Sequence, residues 1–240
     1  MKRGLVSITF RRLCRDEIAR HCHAAELDYI EWGGDVHVPA GDLEAAADAA
    51  RLCREYGIEP AGYGSYYNAA DDFCKFGPVL STAEALGAGY IRIWAGRGRE
   101  YDEAAEENIA RAVREAADKN IRVSLECHRK TMTEDPRLAV RLAAETGCLL
   151  HFQPNPDIGF EENLRALTLF APHLCACHVF AWDRGDVRLP LSAQARQWRE
   201  YAKTAPDVPF LLEFVKDDDV NNLYTDAEML GRILEPDRRP

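Results

Sequence analysis

The chain has 240 residues, of which 47% are hydrophobic and 29% charged, and its formal net charge is −10. That length and apolar content suit one large packed α/β domain and exclude a disordered chain or a marginal mini-domain. The acidic balance argues against a nucleic-acid backbone as partner, and no run of about 18 apolar residues marks a transmembrane helix.

Met1-Lys2-Arg3-Gly4 leads into a short apolar run that Arg11-Arg12 interrupts, so Leu5 to Phe10 reads as strand one and not as a signal peptide. Asp16 to Glu26 is helix one, with Ile18, Cys22 and Ala25 at helical spacing. Leu27 to Trp32 is strand two, followed by the turn Gly33-Gly34-Asp35 and by His37. Helix two runs from an N-cap at Asp42 to Tyr56 and stops at Gly57. Ile58 to Tyr66 is strand three. A helical stretch from Asn68, broken near Gly77-Pro78, resumes to Leu86. Gly89 to Gly96 is strand four and Asp102 to Lys119 helix four. Arg122 to His128 is strand five, Asp135 to Glu145 helix five, Cys148 to Gln153 strand six and Glu161 to Phe170 helix six. Leu174 to Trp182 is strand seven, Ser192 to Lys203 helix seven, Pro209 to Val215 strand eight and Asp226 to Leu234 the last helix.

Eight strands, each followed by a helix, imply a parallel sheet. Eight such units in a chain of this length fit a single-domain (β/α)8 barrel over 1–240, with its active site at the C-terminal strand ends. An open doubly wound sheet is the rival, but no GxGxxG-type phosphate loop follows any strand. The eight cysteines are scattered without a CxxC pair. They read as free thiols in a reducing cytoplasm.

Side chains on a strand alternate faces. On strand five Val123, Leu125 and Cys127 share one face, and Ser124, Glu126 and His128 the other. Strand two ends in Glu31, and strand four carries Arg92 and Trp94 on one face. Strand six brings His151, Gln153 and Asn155. Strand seven brings His178, Phe180 and Trp182, and strand eight embeds Glu213 among apolar neighbours. Burying a carboxylate costs several kcal/mol unless it is paired or on a metal. Two glutamates, a histidine and an amide at strand ends therefore point to a common pocket. Oxygen and imidazole donors without thiolate suit Mn²⁺, Mg²⁺, Co²⁺ or Zn²⁺.

The stretches IEWGGDVHV (30–38), YGSYY (63–67), IRIWAG (91–96), VSLECH (123–128), HFQPN (151–155), HVFAW (178–182) and LLEFVKDDD (211–219) resemble the xylose-isomerase-like barrel superfamily of sugar isomerases, ketose epimerases and inosose dehydratases. The resemblance covers the whole chain. It implies a divalent metal held by Glu126, His178 and Glu213, with Gln153 standing where the family has an aspartate. It also implies that Arg184 binds substrate. The activity implied is metal-dependent isomerisation or epimerisation of a small sugar, ketose or sugar phosphate through an enediolate. Glu126 and Glu213 would transfer the proton, with His128 as a further acid, base or substrate contact. Glu31 and His37 would bind hydroxyls, and Tyr66, Trp94 and Trp182 would wall the sugar ring. Arg92, Arg129 and Lys130 lie near strand ends, where a phosphate would sit. A dehydratase acting on a polyol or keto-inositol shares the same site, as does a sugar-binding protein with a decayed metal centre. The expected partner is a small carbohydrate, with no nucleic acid or membrane, in a possible homo-oligomer.

Overall fold

A computed structural model describes residues 2–183, 185–205 and 207–235. In chain order the elements are β1 (Arg3–Val6), α1 (Arg15–Ala24), β2 (Tyr29–Gly33), α2 (Leu43–Tyr56), β3 (Glu59–Asn68), α3 (Phe76–Leu86), β4 (Tyr90–Trp94), α4 (Glu103–Ala117), β5 (Arg122–Glu126), α5 (Pro136–Thr146), β6 (Leu149–Phe152), α6 (Phe160–Phe170), β7 (Leu174–Val179), β8 (Ala181–Asp183), β9 (Val187–Leu189), α7 (Ala195–Thr204), β10 (Phe210–Leu212) and α8 (Val220–Leu234). Eight parallel strands close a barrel in the order β1–β10–β7–β6–β5–β4–β3–β2, and β8 and β9 form a separate antiparallel hairpin. The chain is a (β/α)8 barrel. Among the described residues no helix is long and apolar enough to cross a membrane.

Local chemistry sets the helix ends. Asp42, Asp102, Asp135 and Asp219 each accept a backbone N–H from the first turn of the helix that follows. Gly57 closes α2 in the left-handed region at φ 68°, a conformation that glycine takes without a Cβ penalty.

Several elements differ from expectation. β5 ends at Glu126 and β10 at Leu212, so His128 and Glu213 follow the strands they were expected to lie on. β1 ends at Val6, and Ser7–Phe10 form a buried 3-10 turn, because Ser7 Oγ accepts the Gly33 N–H at 2.8 Å and hydrogen-bonds His37. α3 begins at Phe76 and runs through Gly77-Pro78. Proline is tolerated in a first turn, where its missing N–H would have no partner anyway. Strand seven ends at Val179, and Ala181–Asp183 turn away to pair with Val187–Leu189. α8 begins at Val220, six residues before the expected start, on its Asp219 cap.

The strands alternate as the pattern requires. Ile30, Trp32, Ile91, Ile93, Val123, Leu125, Leu150, Phe152, Phe210 and Leu212 all join one continuous core with buried helix residues such as Ile18, Ile109 and Leu223. Each fully buried large apolar side chain contributes about 1.5–3 kcal/mol. The alternate positions face the barrel axis, so Glu31, Gly64, Arg92, Glu126, His151, His178 and Glu213 gather at its C-terminal end. Lower down, Cys175 packs with Ala61 and Tyr90 while Cys177 joins the main core.

Two predictions follow the packing. A Cβ at Gly62 would lie 2.1 Å from the Tyr90 ring. Gly62→Ala should therefore lower the unfolding free energy in urea by about 1–3 kcal/mol through overpacking. Burial raises the Asp226 carboxyl above its ordinary value, against the hydrogen bond that Oδ1 accepts from Leu191 N–H at 2.9 Å. A raised acid favours the fold when protonated, and this contribution fades as pH rises through its folded value. Asp226→Asn keeps the acceptor without the charge. It should raise Tm at neutral pH, and the gain should vanish in acid.

Candidate active site

The C-terminal end of the barrel is built around one guanidinium. Arg92, on β4, is 4% exposed; its Nε donates to Glu31 Oε1 at 2.8 Å and its Nη1 to Glu126 Oε2. Tyr90, two residues earlier on the same face, donates its hydroxyl to Glu31 Oε2 at 2.7 Å. β3 makes room with glycines at the same alternation. An ideal Cβ on Gly64 would lie 2.6 Å from Arg92 Nη2 and 2.9 Å from Glu31 Oε1.

Glu126 is saturated with donors. Besides Arg92, its Oε2 accepts Trp94 Nε1–H at 2.5 Å, and its Oε1 accepts the Gln153 amide N–H at 3.1 Å. Burial pushes the Glu126 carboxyl up, but Arg92, His178 and His128 outweigh it and hold it below the usual range. Glu31 is likewise raised by burial and then held well below its ordinary value by Arg92, His178 and His151. Both are anions at neutral pH.

A second set of atoms is unsatisfied. His178 Nδ1 lies 3.3 Å from Glu213 Oε2, and both atoms are buried without a hydrogen bond. His178 Nε2 lies 3.4 Å from Glu31 Oε2. Burial lowers the His178 pKa, but Glu213 and Glu31 raise it to about 10, so the ring is a cation at neutral pH. His151 is pushed down to about 4 by burial. Its Nδ1 meets Ser124 Oγ at 2.8 Å, and its Nε2, 3.3 Å from Glu31, makes no hydrogen bond. The neutral ring makes this contact a close approach and not an ion pair.

Beside this cluster opens a cleft of about 670 Å³, which Glu126, His128, Arg129, Gln153, Trp182 and Phe214 help to line. Phe180, Trp182 and Phe214 form its aromatic wall, with ring centroids 4.8–5.6 Å apart. Tyr66 stacks edge-on to Trp94 at 5.6 Å, and Trp94 lies parallel to His128 at 5.8 Å. Tyr66 and Phe214 hold φ of 58° and 51°. Left-handed conformations of bulky residues cost about 1–3 kcal/mol each and cluster at functional sites.

The structure thus brings Glu126, His128, Gln153, Trp94 and Trp182 together around the cleft or its edge. Glu31, fully buried, faces Arg92, Tyr90 and the histidines. His37 is buried behind β2, with Nδ1 on Ser7 and Nε2 on the Leu13 carbonyl. The Tyr66 hydroxyl accepts a hydrogen bond from Arg11 at 2.9 Å. Arg184 lies outside the described residues.

Among the described residues, the one set of three metal-ligand side chains whose donor atoms come within 4.8 Å of one another is Glu31, His151 and His178. These three could hold a metal ion. All are at most 1% exposed, and Glu31 is already covered by Arg92 and Tyr90. A catalytic ion needs a coordination position open to substrate, and this group offers none. The implied set of Glu126, Gln153, His178 and Glu213 also fits a metal poorly. Glu126 is occupied by three donors, and Gln153 turns its N–H, not its oxygen, toward it.

The sequence pattern singled out Arg92 and His151 as inward-facing but assigned neither to the ligand or catalytic set. It passed over Tyr90 and Gly64. The readable signal was Gly62-x-Gly64 on one strand beside Tyr90-x-Arg92 on the next, small residues opposite large ones at the same alternation.

No protein-family model matches the chain, and no curated protein matches it. Solved structures do. The probable 3-DHS dehydratase AsbF of Bacillus anthracis, involved in petrobactin synthesis, superposes with a TM-score of 0.77 at 17% identity, over 96% of this chain and 99% of that one. D-psicose 3-epimerase of Clostridium cellulolyticum, solved with D-tagatose, gives 0.71 at 12%, over 98% and 100%. A xylose isomerase-like TIM barrel protein of Mycobacterium smegmatis, in complex with magnesium, gives 0.68 at 14%, over 94% and 90%. On its closed eight-stranded barrel, the chain has the (β/α)8 fold that these solved structures share.

Proposed function

We propose that the chain is an enzyme that isomerises or epimerises a small sugar, ketose or sugar phosphate by moving a proton on the carbon beside its carbonyl. The observation that carries this reading is the contrast between two carboxylates at one barrel mouth. Glu126 is saturated by three donors, while Glu213 keeps a buried oxygen with no donor, 3.3 Å from His178. Acid and base roles need carboxylates in different environments.

Glu213, whose Oε2 is approached among the described residues only by His178, takes the substrate proton. His178, cationic between Glu213 and Glu31, holds that oxygen in place. Glu126 stays anionic, and its Oε1, which takes one donor from Gln153, keeps an acceptor site that orients a substrate hydroxyl at the floor of the cleft. His128 lines the cleft and donates Nδ1–H to the Arg129 carbonyl at 2.6 Å, which leaves Nε2 as the acceptor that takes a proton from solvent and passes it to the substrate. Trp94, Trp182 and Tyr66 enclose the carbon skeleton against water. The apolar faces of a sugar ring suit such aromatic walls. No divalent ion enters this reading, because Glu31, His151 and His178 are buried under Arg92 and Tyr90 and Glu126 is already taken by three donors. The eight free thiols support a cytoplasmic site of action.

Loss of water after the same proton abstraction is the second reading, favoured by the likeness to a probable 3-DHS dehydratase. Product mass separates the two, since isomerisation conserves mass and dehydration does not.

The test is solvent exchange. The protein is incubated in ²H₂O with a panel of ketoses, sugar phosphates and keto-polyols, and the products are read by mass spectrometry and NMR. Deuterium should enter the carbon next to the carbonyl of at least one compound. Glu213→Gln should slow that entry by about 100-fold or more, the size of a general-base contribution. Absence of exchange across the panel would leave a sugar-binding protein as the better account.

A further inference from the structure

An anion saturated with donors, a notch cut to fit a guanidinium and an amide where related barrels are expected to carry a carboxylate all meet at one point. Each has the same electrostatic explanation. A divalent metal centre needs several negative ligands, and affinity follows ligand charge. Here the position that the family resemblance reserves for an aspartate is Gln153, which donates to Glu126 at 3.1 Å. An aspartate so close to Glu126 would set two carboxylates against each other unless a strong cation lay between them. An amide removes one negative charge and adds a donor. A single positive charge then suffices, and Arg92 supplies it from within the chain, between Glu31 and Glu126. Gly64 makes the seat, since any Cβ there would strike Arg92 Nη2. Arginine suits such a seat because its planar fork reaches two carboxylates at once and it is less strongly hydrated than lysine.

We propose that Arg92 is the built-in counter-cation of this site: it takes the charge position that the resemblance reserves for a divalent metal and pairs Glu31 with Glu126 without one. Arg92 is a positioning residue that acts through Glu126 and Glu31. The proposal rests on reading this cluster as the reacting site, and it predicts that the protein works metal-free.

Metal binding tests it, with Mn²⁺ as probe and no substrate needed. The wild-type protein is purified from metal-supplemented medium, its metal content is measured by mass spectrometry, and its melting is followed with EDTA and with excess MnCl₂. Far less than one equivalent of metal is expected, with no change of Tm in either condition. Gln153→Asp restores the negative ligand, so it should bind Mn²⁺ about tenfold more tightly or better. Arg92→Met in the same background should strengthen binding further, and Arg92→Lys should not. A merely structural arginine would leave Mn²⁺ affinity unmoved by these exchanges. Near-stoichiometric metal in the wild-type protein, or a rise in its Tm with MnCl₂, overturns the proposal even if the arginine variants fail to fold. Solvent exchange that appears only with added Mn²⁺ also overturns it while leaving the proton-transfer reading intact. A metal-free protein that exchanges no proton with any compound sinks the proton-transfer reading instead.

Discussion

The buried pairing of Arg92 with Glu31 and Glu126 organises the barrel mouth. Removing a charge from water costs several kcal/mol per ion, and the fold recovers this only if every ionic group is closely and fully partnered. The neighbouring residues meet that requirement. Tyr90 and Trp94 bring donors from the same face of β4, and Gln153 brings one from the end of β6. β3 contributes empty space, through glycines at the positions where side chains would collide with Tyr90 and Arg92. The arrangement ties β2, β4 and β5 together through side chains as well as through the backbone ladder.

The same pairing divides the site into two chemical regions. Around Arg92 the carboxylates are satisfied and held ionised. Around His178 hydrogen bonds are missing: Glu213 Oε2, His178 Nδ1 and His151 Nε2 are buried without them. Buried polar atoms without partners are costly, and they persist where a ligand or a reaction uses them. Left-handed Tyr66 and Phe214 at the rim add a second store of strain beside the cleft. A barrel of this kind hosts many reactions, so the fold narrows the chemistry only to what these particular side chains can do.

Much of the site was legible because strands have a period of two. Glu126 facing the axis with Ser124, and Val123 and Leu125 facing the helices, follow from alternation alone. The pairing of ligand-type residues was not legible in the same way. Glu31 and Glu126 are 95 positions apart, and nothing local says that an arginine from β4 will lie between them. His37 shows the opposite failure. It is a histidine in a strand-end loop by sequence, but the fold turns it inward onto Ser7 and Leu13. The end of β7 was misread because the apolar run continues to Trp182 without a break. The turn at Phe180 comes from pairing with Val187–Leu189.

The eight barrel strands with their helices, the closed parallel barrel and the inward set of acids, imidazoles and aromatics were determined by the sequence itself, through hydrophobic periodicity, aspartate caps and glycine stops. Those signals are local: a cap needs three neighbouring residues, and a pleat needs two. Which carboxylate is neutralised, which stays unpartnered and whether Gln153 offers its N–H or its oxygen were decided by tertiary structure alone. Coulombic partnership depends on distance in space, and barrel closure sets that distance between strands far apart in the chain.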